Sequence, residues 1–174
     1  MPNARSNIIL VGMPGAGKST VGIILAKMTA RSFVDTDVLI QTEQKRSLQS
    51  IVDTDGYMAL RRVEEDTLLR LDVHNHVIAT GGSAVYSSPA MQHLGHTGKI
   101  VFLKVSLAAL LARVKDFDTR GLAKRPDQSF EELFTERCRL YEACADISVV
   151  CDTLNQEEVC HAIVAAFTAE PSQR

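Results

Sequence analysis

"GMPGAGKST", residues 12–20, follows the apolar run Asn7-Ile8-Ile9-Leu10-Val11 and runs into "KSTVGIILAKMTA" (18–30), whose apolar residues recur at helical spacing. Glycines beside a lysine and two hydroxyls suit neither a helix nor a strand interior, so the segment is shaped to hold something. Between a strand and a helix, Gly12-x-x-x-x-Gly17-Lys18-Ser19 fits the phosphate-loop pattern. Its glycines let backbone N–H groups turn inward around a phosphate chain, and the following helix adds its positive N-terminal end. The expected nucleotide contacts are Gly12, Met13, Pro14, Gly15, Ala16, Gly17, Lys18, Ser19 and Thr20. Lys18 would reach the β and γ phosphates, and Ser19 would help to hold Mg²⁺.

Four further β-branched runs, 32–37, 76–82, 99–105 and 146–152, read as buried strands. Segments 58–73, 106–115, 129–145 and 155–167 place apolar residues three and four apart and read as helices. This alternation predicts an α/β domain with a central parallel sheet and helices on both faces. The 174 residues suit one domain, expected over 1–168, with a frayed tail over 169–174. Segment 115–128, "KDFDTRGLAKRPDQ", interrupts the alternation with Gly121, Pro126 and several charges and is a candidate mobile loop. A lid arginine closing over the γ-phosphate would stabilise transferring charge, and Arg120 is the candidate.

Net charge is −2, so no general basic field attracts nucleic acid or an anionic membrane. No apolar run approaches the ~20 residues of a bilayer span, and the N-terminal run is shorter than a secretory core. The expected location is the cytoplasm and the expected partner a small molecule, with the chain acting as a monomer. Cys138, Cys144, Cys151 and Cys160 form no C-x-x-C pair, which suggests neither a zinc site nor a disulfide frame.

On the second strand, Asp35 and Asp37 are two apart and would face one side of an extended segment at the carboxyl edge of the sheet. One could hold Mg²⁺ while the other accepts a proton from an attacking hydroxyl; a helix N-cap is the plainer alternative. On a predicted helix, Arg61 can pair with Glu64 or Glu65 and so present a fork to a substrate carboxylate. "TGGSAV" (80–85) puts Gly81 and Gly82 at the same sheet edge.

Together these residues resemble the shikimate kinase family from about Asn7 to Phe167. The resemblance implies a three-layer P-loop kinase fold with a lid over about 113–127, and ATP-dependent phosphorylation of a small hydroxylated acid, shikimate first. By that resemblance Lys18 is the phosphate-loop lysine, Ser19 and Asp35 the metal-side residues, and Asp37 the base that also binds acceptor hydroxyls. Arg61 and Arg137 correspond to carboxylate-binding arginines, Gly81 and Gly82 to the start of a G-G-G motif, Arg113 to an adenine-stacking arginine and Arg120 to the lid arginine. Leu60 stands where the family has phenylalanine, Val52 where an aromatic often sits and Ser83 where the third glycine falls; the lid reads "TRGLAKRP". A kinase for another acceptor such as gluconate, or a non-catalytic nucleotide-binding module, are the alternatives. A GTPase-like switch is disfavoured: "DTDG" (53–56) matches D-x-x-G behind only a two-residue apolar run, and no N-K-x-D follows.

Overall fold

The computed structural model describes residues 5–113 and 121–169. Five strands, β1 (Asn7–Val11), β2 (Ser32–Asp35), β3 (His76–Ala79), β4 (Gly98–Lys104) and β5 (Ile147–Val150), form one parallel sheet in the order β2-β3-β1-β4-β5. All five match expected runs, because a strand covered on both faces must be apolar along its whole length. Central β1 is buried at every position, while edge strand β2 runs from exposed to half-buried.

The chain leaves β1 for one side of the sheet and later returns to the other side for β4. Right-handed crossovers therefore put helix α1 (Lys18–Met28) on one face and the later connections on the opposite one. Terminal helix α8 (Gln156–Ala169) packs against α1 and completes that layer. β1 is the point where the strand order reverses, the place where open α/β sheets hold ligands beyond their carboxyl ends.

The main core joins Ile9, Leu10, Ile78, Val101 and Phe102 of the sheet to Leu25, Leu94, Tyr141 and Ile163 of the helices. Each such side chain contributes about 1.5–3 kcal/mol relative to exposure. A smaller cluster of Ile40, Ile51, Leu60 and Ala123 ties α2 (Thr36–Gln44), α3 (Leu48–Asp55) and α4 (Tyr57–Leu69) to the second half of the lid segment. Leu68 of α4 joins this wall of helices to the main core.

Helices α2, α3 and α5 (Ser88–Thr97) were not expected. Each has at most ten residues, too few for a helical period to stand out from its surroundings. They are started by side chains instead: Asp35 accepts from the Asp37 and Val38 amides, Ser47 from Ser50, and Ser87 from Ala90. The second strand therefore ends at Asp35, and Asp37 lies in the first turn of α2, not on an extended segment. "DTDG" closes α3, with Gly56 joining it to α4 rather than following a strand. The remaining helices, α6 (Leu107–Arg113) and α7 (Phe130–Cys144), lie where they were expected. Residues 114–120, with Arg120 and most of the lid's first half, fall outside the described residues, as do 170–174 of the tail.

Burial pushes the thiols of Cys138, Cys144, Cys151 and Cys160 up to about 11, and all are unpaired. Among the described residues no helix is long and apolar enough to cross a membrane.

Candidate active site

The loop after β1 turns on three glycines with positive φ: Gly12 (150°), Gly15 (86°) and Gly17 (94°). A side chain at Gly12 would also lie 2.9 Å from the Leu103 carbonyl, so position 12 excludes one on two grounds. Gly17 caps α1 without a side-chain acceptor, which leaves the helix's first amides for a ligand. The buried Lys18 folds back over the loop and donates to the carbonyls of Gly12 (2.7 Å) and Met13 (3.0 Å). Burial pulls its ammonium down to about 8, against the opposing pull of Asp37.

Beside it, exposed Ser19 donates from its hydroxyl to Asp35 Oδ2 at 2.5 Å. Asp35 Oδ1 is taken up by the start of α2, so the same side chain serves as N-cap and as partner of the loop serine. Asp37 projects from α2 into the cleft, and burial raises its carboxyl above the usual range while Lys18 holds it down.

The cleft at this edge encloses about 660 Å³. Gly15, Lys18, Ser19 and Thr20 line it on the loop side; Asp37, Glu64, Gly81, Gly82 and Arg137 line the other. Arg113, at the end of α6, lines its rim and donates to the Cys151 carbonyl at 3.2 Å. Arg137 of α7 is 1% exposed, and among the described residues no carboxylate reaches it as an ion pair. Its Nη2 donates to the Ala123 carbonyl at 3.1 Å, and its Nε has no partner.

Arg61 behaves otherwise than its spacing suggested. It pairs with neither Glu64 nor Glu65; its guanidinium lies 3.5 Å from the Tyr86 ring centroid and donates to the Ala123 carbonyl at 3.2 Å. It lines a second hollow of about 320 Å³ that shares Glu64 and Ser83 with the main cleft. Both arginines thus converge on one carbonyl oxygen.

Glu64 is 3% exposed and accepts a hydrogen bond from the Ser83 hydroxyl, while its Oε1 has no hydrogen-bond partner among the described residues. A methyl at Gly81 would overlap that oxygen and lie 2.7 Å from Asp37 Oδ1, so only glycine lets both carboxylates approach the turn. Burial, then Asp37, pushes the Glu64 carboxyl up to about 7. Its unfolded counterpart titrates near 4.5, so between these values the folded protein keeps a proton that the unfolded chain has lost. Stability contributed by this group therefore falls as pH rises from 4.5 to 7. Glu64→Gln, which lacks the charge, should be more stable than the parent at pH 8 by on the order of 2 kcal/mol, the gap closing towards pH 4.5. Urea unfolding of both proteins at pH 5 and pH 8 checks this; an equal gap at both values would contradict it.

Sequence reasoning missed Tyr86, Gln49 and Glu136. Tyr86 carries Arg61 on its face and donates to Glu136 at 2.5 Å; Arg125 and Gln128 reach the other oxygen of Glu136 at 3.4 and 3.1 Å. Gln49 accepts from the Gly121 amide at 2.6 Å. These contacts hold the far leg of the lid against α3 and α7, and no local motif announces them. Leu60 lines the cleft, whereas Val52 packs into the small cluster beside it.

A family model for shikimate kinase matches residues 14–168. The chain belongs to the shikimate kinase family. A shikimate kinase from Clostridium botulinum (strain Okra / Type B1) is 36% identical over 165 residues, covering 92% of this chain and 95% of its own. The structure of a shikimate kinase from Acinetobacter baumannii in complex with shikimate superposes with a TM-score of 0.88 at 27% identity, covering 97% of this chain and 96% of that one. That from Aquifex aeolicus gives 0.76 at 28% identity, covering 93% and 96%. This kinase therefore has the family's P-loop fold and is an ATP-dependent phosphotransferase.

Proposed function

We propose that this kinase phosphorylates a hydroxyl of shikimate. The observation that carries the acceptor assignment is the convergence of Arg61 and Arg137 on one oxygen across the cleft from the phosphate loop. Two guanidinium groups, one of them buried and in no ion pair among the described residues, suit the fixed negative charge of a carboxylic acid. The Ala123 carbonyl marks where an acid oxygen would be received.

In this reading Lys18 leaves its loop carbonyls for the β and γ phosphates, and the amides opening α1 bind the same chain. Arg113 borders the adenine; Arg120, the candidate lid arginine, lies outside the described residues. The acceptor oxygen attacks the γ-phosphorus, the bond to the β–γ bridging oxygen breaks, and the hydroxyl proton passes to Asp37. Gly81 and Gly82 floor the acceptor site, where the absence of side chains leaves room for it. Ser19 and Asp35 are hard oxygen donors already within hydrogen-bond distance of each other, which fits Mg²⁺, an ion that takes one or two protein ligands beside phosphate oxygens. Mg²⁺ supplies charge neutralisation at the phosphates.

An ADP-release assay across hydroxy acids tests the acceptor. Turnover with shikimate and silence with gluconate supports the proposal. Turnover with gluconate alone assigns the other acceptor, and Mg-ATP binding with no turnover of any acid leaves a nucleotide-binding module.

A further inference from the structure

Gly121 is buried and has a φ of 64°, in the left-handed region that favours glycine. A methyl there would lie 2.6 Å from the Gln49 backbone nitrogen and 2.7 Å from the Leu48 carbonyl carbon, so the chain at 121 is pressed flat against the first turn of α3. Its amide is shut away from water and donates to the side chain of Gln49, with Oε1 at 2.6 Å. That side chain is itself oriented: its Nε2 donates to Asp53 Oδ1 at 2.7 Å, one turn along α3. A carboxylate only accepts, so the oxygen is the end left for Gly121. Two residues on, Ala123 is buried in the second cluster, and its carbonyl accepts from Arg137 Nη2 at 3.1 Å. Arg137 Nε has no hydrogen-bond partner among the described residues. Gln49, Gly121, Leu122, Ala123 and Arg137 all line the cleft.

We infer that Gln49 is a positioning residue for acceptor binding: by holding the Gly121 amide it keeps residues 121–123 docked on α3, where the Ala123 carbonyl orients the Arg137 guanidinium. The N–H groups that this carbonyl leaves over then meet the acid beside it in one fixed direction, which lowers the ordering cost of binding. Without the Gln49 oxygen, the docked state holds a buried amide with no acceptor. Part of the population then releases the segment, and the apparent affinity for the acid falls with the docked fraction. Saturating acid draws the population back, so turnover itself is spared. The device needs both partners, since proline at 121 would have neither the N–H nor the φ.

This rests on the proposed acid acceptor. The experiment measures steady-state kinetics with shikimate and Mg-ATP for the parent, Gln49→Met, Gly121→Pro and the double variant. In parallel, mass spectrometry follows tryptic cleavage of the bond between Lys124 and Arg125 without acid. Gln49→Met keeps the length of the side chain and loses the acceptor. In it KM for shikimate rises about tenfold, while KM for ATP and kcat at saturating acid stay within about twofold. The cut after Lys124 comes about tenfold faster, and saturating shikimate slows it to the parent rate. On the Gly121→Pro background the glutamine change adds nothing, because no N–H remains to be held. An unchanged KM or an unchanged cutting rate in Gln49→Met, or an equal rise in KM on both backgrounds, overturns the inference. If Gly121→Pro fails to fold by thermal melting, Gly121→Ala, whose methyl meets α3, takes its place in the same cycle. Absence of shikimate turnover in the parent overturns the acceptor assignment and the inference with it, whereas a failed tie shows in the cutting rate without any acid.

Discussion

Lys18→Ala is expected to lower kcat/KM by about 10³-fold or more, with weakened Mg-ATP binding in calorimetry and an intact fold by circular dichroism. The magnitude follows from the position of the charge. Lys18 is buried at the loop with its Nζ on two loop carbonyls, close to where the phosphates would lie. A preorganised cation in such a water-poor site is worth roughly 3–4 kcal/mol to the transition state. The cost of keeping it there is visible in its ammonium, pulled down to about 8 by burial. In the empty protein its charge is complete below that pH and fades above it; bound phosphates would draw the proton back. A Lys18→Ala protein with activity within tenfold of the parent would remove the phosphate loop from the mechanism.

For Arg137→Ala the expected result is a rise in KM for shikimate of about 10²-fold, with a smaller fall in kcat and ATP affinity within about twofold. Arg137 is deeper in the protein than Arg61, and among the described residues it has no carboxylate partner. Its charge is therefore available to a ligand, and a charge-assisted fork in a desolvated site contributes roughly 2–3 kcal/mol. Arg137→Lys should not restore the parent KM, because a single ammonium cannot make two parallel hydrogen bonds. The half-buried Arg61 should show a smaller effect when replaced by alanine. Unaltered acceptor kinetics in Arg137→Ala would misassign the clamp.

The two halves of the site were legible to different degrees. Every strand could be read from its apolar run, since the parallel sheet is covered on both faces. Helices α2, α3 and α5 could not, because they are short and are started by single capping side chains, with α2 and α3 packed into the second cluster and α5 into the main core. Asp35 and Asp37 were expected to act from an extended segment. The side chain of Asp35 instead starts a helix, and Asp37 enters the cleft from that helix's first turn. Spacing also favoured an Arg61–Glu64 pair, and it could not register that Ser83, nineteen residues further on, would take Glu64 first.

The sequence by itself determined the phosphate loop, because nine consecutive residues, their glycine conformations and the helix they open make that geometry locally. The alternation of buried strands and amphipathic helices likewise determined the class of sheet. The acceptor wall was decided only by the tertiary structure. Asp37, Glu64, Ser83, Ala123 and Arg137 come from five separate segments, and each owes its partners to packing between distant elements. Side-chain charge is written in the sequence, but which charge meets which is settled by burial and by the nearest competing hydrogen bond.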